Sequence, residues 1–219
     1  TMNKIQTIPE YQELASRTCP DLGQIDNERH MNLAVITEIA ECLDVFKKYM
    51  AYNKPMDLVN VGEELADATW YVCNKSRFQN IPLDNLDGAY ADIKNFIETK
   101  MFLKPDLTQE VKTEAILIII LGMYCSESNS IYRAPIIQIA CFKIIAEWYG
   151  LDFFQCLTNN IEKLKVRYPE KFSNEAAQNR NLEAEREKLE VTGIEEEGIS
   201  EATAISDEAG NSVSSEEES

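Results

Sequence analysis

Asn32-Leu33-Ala34-Val35-Ile36-Thr37-Glu38-Ile39-Ala40-Glu41-Cys42-Leu43-Asp44-Val45-Phe46-Lys47-Lys48-Tyr49-Met50 decides the fold class. Ile36, Ile39, Ala40, Leu43 and Phe46 recur at three- and four-residue steps, the spacing of an apolar stripe on an α-helix. Asn53-Lys54-Pro55 breaks that helix, and Asp57 is placed to cap the next, which carries Val61, Leu65, Ala68 and Val72 to about Phe78. Pro82 and Asp84 open a third helix with Leu86, Tyr90, Ile93 and Phe96, and Lys104-Pro105-Asp106 is a further break. Two segments, about Thr108 to Cys125 and Ala134 to Tyr149, are apolar nearly all round, so they belong in a core or an interface. Gly150 stops the second of them. A helix from Asp152 to Val166 ends at Tyr168-Pro169, and a shorter one runs from Asn174 to Leu189. Val-rich alternating segments and Asn-Gly turns are absent, so the expectation is an all-α helical bundle. A weak internal echo links Phe78-Gln79-Asn80-Ile81-Pro82-Leu83-Asp84 with Trp148-Tyr149-Gly150-Leu151-Asp152, each leading from helix to helix.

The chain has 219 residues, 44% apolar and 27% charged, the profile of one globular domain. Its charge is concentrated. Residues 181–219 hold 13 acids against Arg186 and Lys188, a net −11, which leaves −6 of the total −17 to the first 180 residues. From about Gly193 the chain is Glu, Ser, Ala, Gly and Asn with few large apolar residues, and residues 191–219 are expected to be a disordered, solubilising acidic tail. The acidic balance argues against a nucleic-acid partner. The longest apolar run, Ala115 to Met123, is too short to span a membrane, and Thr1-Met2-Asn3-Lys4 shows no secretion signal, so a cytoplasmic location is expected. Six cysteines form no CxxC pair, which disfavours zinc or a redox dithiol, and Cys42, Cys73, Cys141 and Cys156 are expected to be reduced and mostly buried.

Three polar clusters carry the chemistry. Glu38 and Glu41, with Lys48 seven positions on, share roughly one helix face. Glu64, Asp67 and Tyr71 do so on the next helix, with Glu63 off that face. A single Glu-x-x-Glu is ordinarily a solvated acidic face, but two such pairs on consecutive antiparallel helices would repel unless a cation lay between them. All-oxygen donors suit Mg²⁺, or Mn²⁺, rather than zinc, and the only histidine, His30, is not near either pair in sequence. The third cluster, Asn160, Lys163 and Arg167, could hold phosphate oxygens and a sugar or base edge, or could simply dress a helix C-terminus.

These clusters resemble the MazG-like nucleoside triphosphate pyrophosphohydrolases, which carry Glu-Glu-x-x-Glu followed by Glu-x-x-Asp. Here Thr37-Glu38-Ile39-Ala40-Glu41 is followed, 22 residues on, by Glu64-Leu65-Ala66-Asp67 and then Trp70-Tyr71. Asn160 to Phe172, Asn179 to Glu183 and Tyr11 to Thr18 are similar to further family segments. The likeness covers about residues 9–78 and 138–187. Thr37 stands where the family has its first Glu, and about 79–137 reads as a helical insertion within a domain of residues 1–190.

The resemblance implies an all-α pyrophosphatase bundle in which Glu38, Glu41, Glu64 and Asp67 hold Mg²⁺. Glu41 would accept the proton of the attacking water, while Lys48, Lys163 and Arg167 steady phosphate charge. Asn160 and Tyr71 would meet sugar or base, and Trp70 would stack on the base or belong to the core. It further implies a nucleotide substrate cleaved to monophosphate and pyrophosphate, and a homodimer or larger assembly. A phosphoribosyl-ATP pyrophosphohydrolase and a non-catalytic helical interaction module are the alternatives.

Overall fold

The structure is a computed structural model describing residues 2–52, 54–101, 106–125 and 134–190. Asn53, Lys104, Pro105 and the acidic tail 191–219 lie outside the described residues. Helix formation begins where local chemistry permits it. Thr7 caps α1 (Ile8–Ser16) by accepting from the Glu10 amide, and Pro9 occupies the first turn, where no amide donor is needed. Helices α2 (Gln24–Tyr52) and α3 (Leu58–Phe78) form a long antiparallel hairpin, with the Asp57 carboxylate capping α3 at the Asn60 amide. α4 (Leu86–Phe96) runs into a π-helical turn at Ile97–Met101, and α5 (Gln109–Cys125) and α6 (Pro135–Trp148) follow. α7 (Phe153–Arg167) is capped by Asp152. Every element is helical and no strand forms among the described residues, so the all-α class holds.

Two details differ from the sequence reading. The buried face of α2 consists of Met31, Ala34, Val35, Ile39, Cys42, Val45 and Phe46, whereas Ala40 is exposed and Ile36 and Leu43 are only half-buried. The true face lies roughly 100° from the expected stripe, about one residue's turn, because Glu38 sits in its middle and interrupts the apolar pattern. The helix from Asn174 to Leu189 is in fact two, α8 (Asn174–Gln178) and α9 (Leu182–Leu189), capped by Ser173 and Asn181.

α3 is the centre of the bundle and packs against α1, α2, α6 and α7, while α4 lies on α6, α5 on α2, and α9 on α7. Gly62 permits the close approach of α3 to α7, since a Cβ there would stand 3.0 Å from Cys156 Sγ. Cys42, Cys73 and Cys141 are buried free thiols, and Cys19 and Cys156 are half-buried. No helix among the described residues is long and apolar enough to cross a membrane.

The internal echo has a structural counterpart. Asn80 and Gly150 both adopt positive φ, 55° and 68°, and the following amides of Ile81 and Leu151 reach back to Ser76 and Ala146 at 2.9 Å. Each ends one helix and aims the chain at the next. A Cβ on Gly150 meets nothing within 4 Å, so Gly150→Ala isolates the backbone cost of about 1 kcal/mol. The expected drop in melting temperature is roughly 2–4 °C by calorimetry, with the fold retained.

Candidate functional site

The hairpin of α2 and α3 sets one acid-bearing level against another. One carboxylate oxygen from each of Glu38, Glu41 and Glu64 lies within 4.8 Å of the others. Glu64 is 6% exposed, Glu38 is half-buried and Glu41 is open to solvent. Burial pushes the carboxyls of Glu38 and Glu64 well above the ordinary carboxylate range, and the nearby Asp67 charge adds to both shifts. Three acids held this closely favour either a shared proton or a cation.

Asp67 lines the same cavity, but both its oxygens are engaged. Oδ1 accepts from Asn160 Nδ2 and Oδ2 from Lys163 Nζ, each at 2.5 Å. Lys163 is 1% exposed and also donates to Glu63 Oε1 at 3.1 Å. Burial alone would lower its pKa, but Asp67 and Glu63 outweigh burial and raise it, so the ammonium stays charged. Asn160 is fully buried, and its Oδ1 accepts from the Tyr11 hydroxyl at 2.8 Å. Tyr11, Asn160 and Lys163 thus form a buried frame behind Asp67.

The cavity encloses about 490 Å³. Its polarity follows from the hairpin. Glu63, Glu64 and Asp67 line one level, and Trp70 and Tyr71 line the next turns of α3, roughly 10 Å along the axis. Because α2 runs the other way, His30 comes to that aromatic level, with its ring edge-on to Tyr71 at 5.8 Å. Trp70 is 6% exposed, stands edge-on to Tyr71 at 4.8 Å, and donates from Nε1 to Thr18 Oγ1.

The remaining wall comes from the chain after α7. Arg17 Nη1 donates to the carbonyls of Tyr168, Pro169 and Glu170, which fixes the turn and brings Phe172 and Arg180 to the cavity. Arg167 also lines the cavity and grips Glu185 through Nε at 3.0 Å and Nη2 at 2.5 Å, while Arg180 donates to the same carboxylate at 2.8 Å. Burial works to raise the Glu185 pKa, but the two guanidinium groups overcome it and hold the carboxyl at about 2.

Of the sequence-derived residues, Glu38, Glu41, Glu64, Asp67, Trp70, Tyr71 and Arg167 line this cavity together. Asn160 and Lys163 stand behind its acidic level. Lys48 lies elsewhere, pairing with Asp44 at 2.7 Å on the rim of a more open depression that shares Glu41 and Glu64. Thr37 borders that same depression, its hydroxyl donating to the Ala34 carbonyl at 2.8 Å. The sequence set Glu63 off the carboxylate face, gave Tyr11 and Arg180 no role beyond lying in family-like segments, and gave Glu185 none. Glu185 was hidden among the tail acids, and only the return of α9 onto α7 reveals it.

No family model, curated protein or solved structure matches this chain. The functional reading therefore rests on the residues and their geometry. Glu185→Gln leaves two guanidinium groups without their counter-charge, and its expected cost is about 2–3 kcal/mol, discounted for the partial exposure of Arg180. Chemical denaturation checks this, and Glu183→Gln on the exposed side of the same helix is the control, expected within about 0.5 kcal/mol of the parent.

Proposed function

We propose that this chain is a nucleoside triphosphate pyrophosphohydrolase that uses Mg²⁺, or Mn²⁺, to release a nucleoside monophosphate and pyrophosphate. One observation carries the reading. A cluster of Glu38, Glu41 and Glu64, with Asp67 beside it, occupies one level of a cavity whose next level is aromatic. Two arginines line the same cavity. Acid for a cation, cation for phosphate and ring for base are the three chemistries a nucleotide with its metal requires.

The donor set fits a hard divalent cation. It is all oxygen, and two of its members, Glu38 and Glu64, resist ionisation, while Lys163 offsets the charge of Asp67 from behind. Glu38, Glu41, Glu64 and Asp67 would hold the ion, which when bound offsets triphosphate charge and makes a water molecule more acidic. The protein's own groups then divide the work. Glu41, the most open of the acids, accepts the proton of the attacking water. Asn160 and Lys163 act as positioning residues, holding the Asp67 carboxylate in one orientation from behind. Arg167 and Arg180 meet phosphate oxygens, with Glu185 keeping both guanidinium groups at the wall before substrate arrives. Tyr71 and Trp70 flank the base level. Lys48 is assigned no role in this step: its exposed amine pairs with Asp44 on the rim of the depression that shares Glu41 and Glu64.

Pyrophosphate release from a panel of canonical and modified NTPs and dNTPs, with Mg²⁺, tests the proposal. At least one substrate is expected to be cleaved. Glu41→Gln is expected to lower kcat by roughly 10²–10⁴-fold with KM little changed. Silence across the panel from folded protein, or release that Glu41→Gln leaves intact, would overturn it. Release confined to phosphoribosyl-ATP would instead favour that narrower enzyme.

A further inference from the structure

We infer that His30 reads the base of the bound nucleotide by donating a hydrogen bond from Nε2 to a carbonyl oxygen, a group that uracil, thymine, cytosine and guanine carry and adenine lacks. This rests on the nucleotide reading of the cavity and extends it to a substrate class. His30 lies on α2 eight residues before Glu38, roughly 12 Å along the helix from the acidic level. It lines the cavity and stands edge-on to Tyr71 at 5.8 Å, with 77° between the ring planes.

The tautomer follows from what surrounds the ring. Nδ1 of His30 is buried and has no hydrogen-bond partner among the described residues. Burial also lowers the imidazole pKa, so near neutrality the ring is uncharged and carries a single N–H. A buried N–H with no acceptor is the rarer and costlier orphan than a bare lone pair. The proton is therefore assigned to Nε2, leaving a lone pair at Nδ1. Because the residue lines the cavity, that N–H is a donor available to whatever occupies the aromatic level. Pro20 and Leu22 also line the cavity and add apolar surface to it. A directional donor among rings and apolar walls discriminates between bases more sharply than apolar packing does.

His30 is the only histidine in the chain, so its imidazole resonances need no assignment by mutation. Nitrogen-detected NMR of the intact protein should show the Nε2–H tautomer at pH 7.5. Titration with uridine 5′-monophosphate and Mg²⁺ should then shift the imidazole signals, while adenosine 5′-monophosphate at equal saturation should shift them much less. Monophosphates are bound as products and need no turnover, so this readout survives even if pyrophosphate release fails. His30→Phe should weaken uridine monophosphate binding about 3- to 10-fold relative to adenosine monophosphate. His30→Gln, which returns an amide N–H near the Nε2 position, should recover most of that difference. An Nδ1–H tautomer, equal shifts with the two nucleotides, no shift with either, or equal losses in His30→Phe would each overturn the assignment.

Discussion

Everything in this molecule accommodates one electrostatic constraint, the placing of Glu38, Glu41, Glu64 and Asp67 between two helices that must also pack. Such a group is tolerable only if its charge is neutralised by protons, by fixed cations or by a metal. Among the described residues the protein supplies the second remedy most directly for Asp67, through its ion pair with Lys163. The consequence is visible in Glu38 and Glu64, both of which resist ionisation. A fold selected for stability alone would place apolar residues at these positions, and Glu38 in particular interrupts what would otherwise be an unbroken apolar face of α2.

The hairpin converts this local stress into a gradient. Because α2 and α3 run in opposite directions, residues that follow the acids on α3 lie level with residues that precede them on α2. Tyr71 therefore meets His30, and the cavity passes from carboxylates to aromatic rings over about two helical turns. The chain beyond α7 supplies the complementary charge. Arg17 anchors the turn by its carbonyls, and Glu185 gathers Arg167 and Arg180 against the cavity wall. The same carboxylate that stabilises the folded segment also fixes the position of both guanidinium groups.

Much of this was legible in the sequence, and the failures have physical causes. Helix boundaries around Asp57, Gly150 and Asp152 could be read because capping and positive φ are local properties. The carboxylate pairs could be read because their spacing is helical. The buried face of α2 was misplaced because an acid, Glu38, occupies it, so the apolar pattern alone pointed about one residue away. Lys48 was placed on the working face by angular spacing, but Asp44 at the i−4 position captures its amine. The frame of Tyr11, Asn160 and Lys163 behind Asp67 joins positions about 100 to 150 residues apart, and no spacing rule reaches that far. Glu185 was hidden for a different reason: it stands among a run of acids, and nothing in its spacing from Arg167 or Arg180 marks it out from them.

On the proposed function, the acidic cluster holds a divalent cation. Glu38 and Glu64 have raised pKa values in the folded protein, so their stabilising contribution is complete below about pH 4.5 and is lost as pH rises through their folded values. A cation bound to the ionised cluster restores that loss. His30, whose folded pKa is lowered, acts in the opposite direction below neutrality, so the informative quantity is the increment that the metal produces. Thermal unfolding should be followed at pH 5.5 and pH 8 with and without Mg²⁺ at constant ionic strength. The account predicts a rise in melting temperature with Mg²⁺ that is larger at pH 8 and disappears in a Glu41→Gln, Glu64→Gln variant. A rise of equal size at both pH values, or no rise at either, would contradict it.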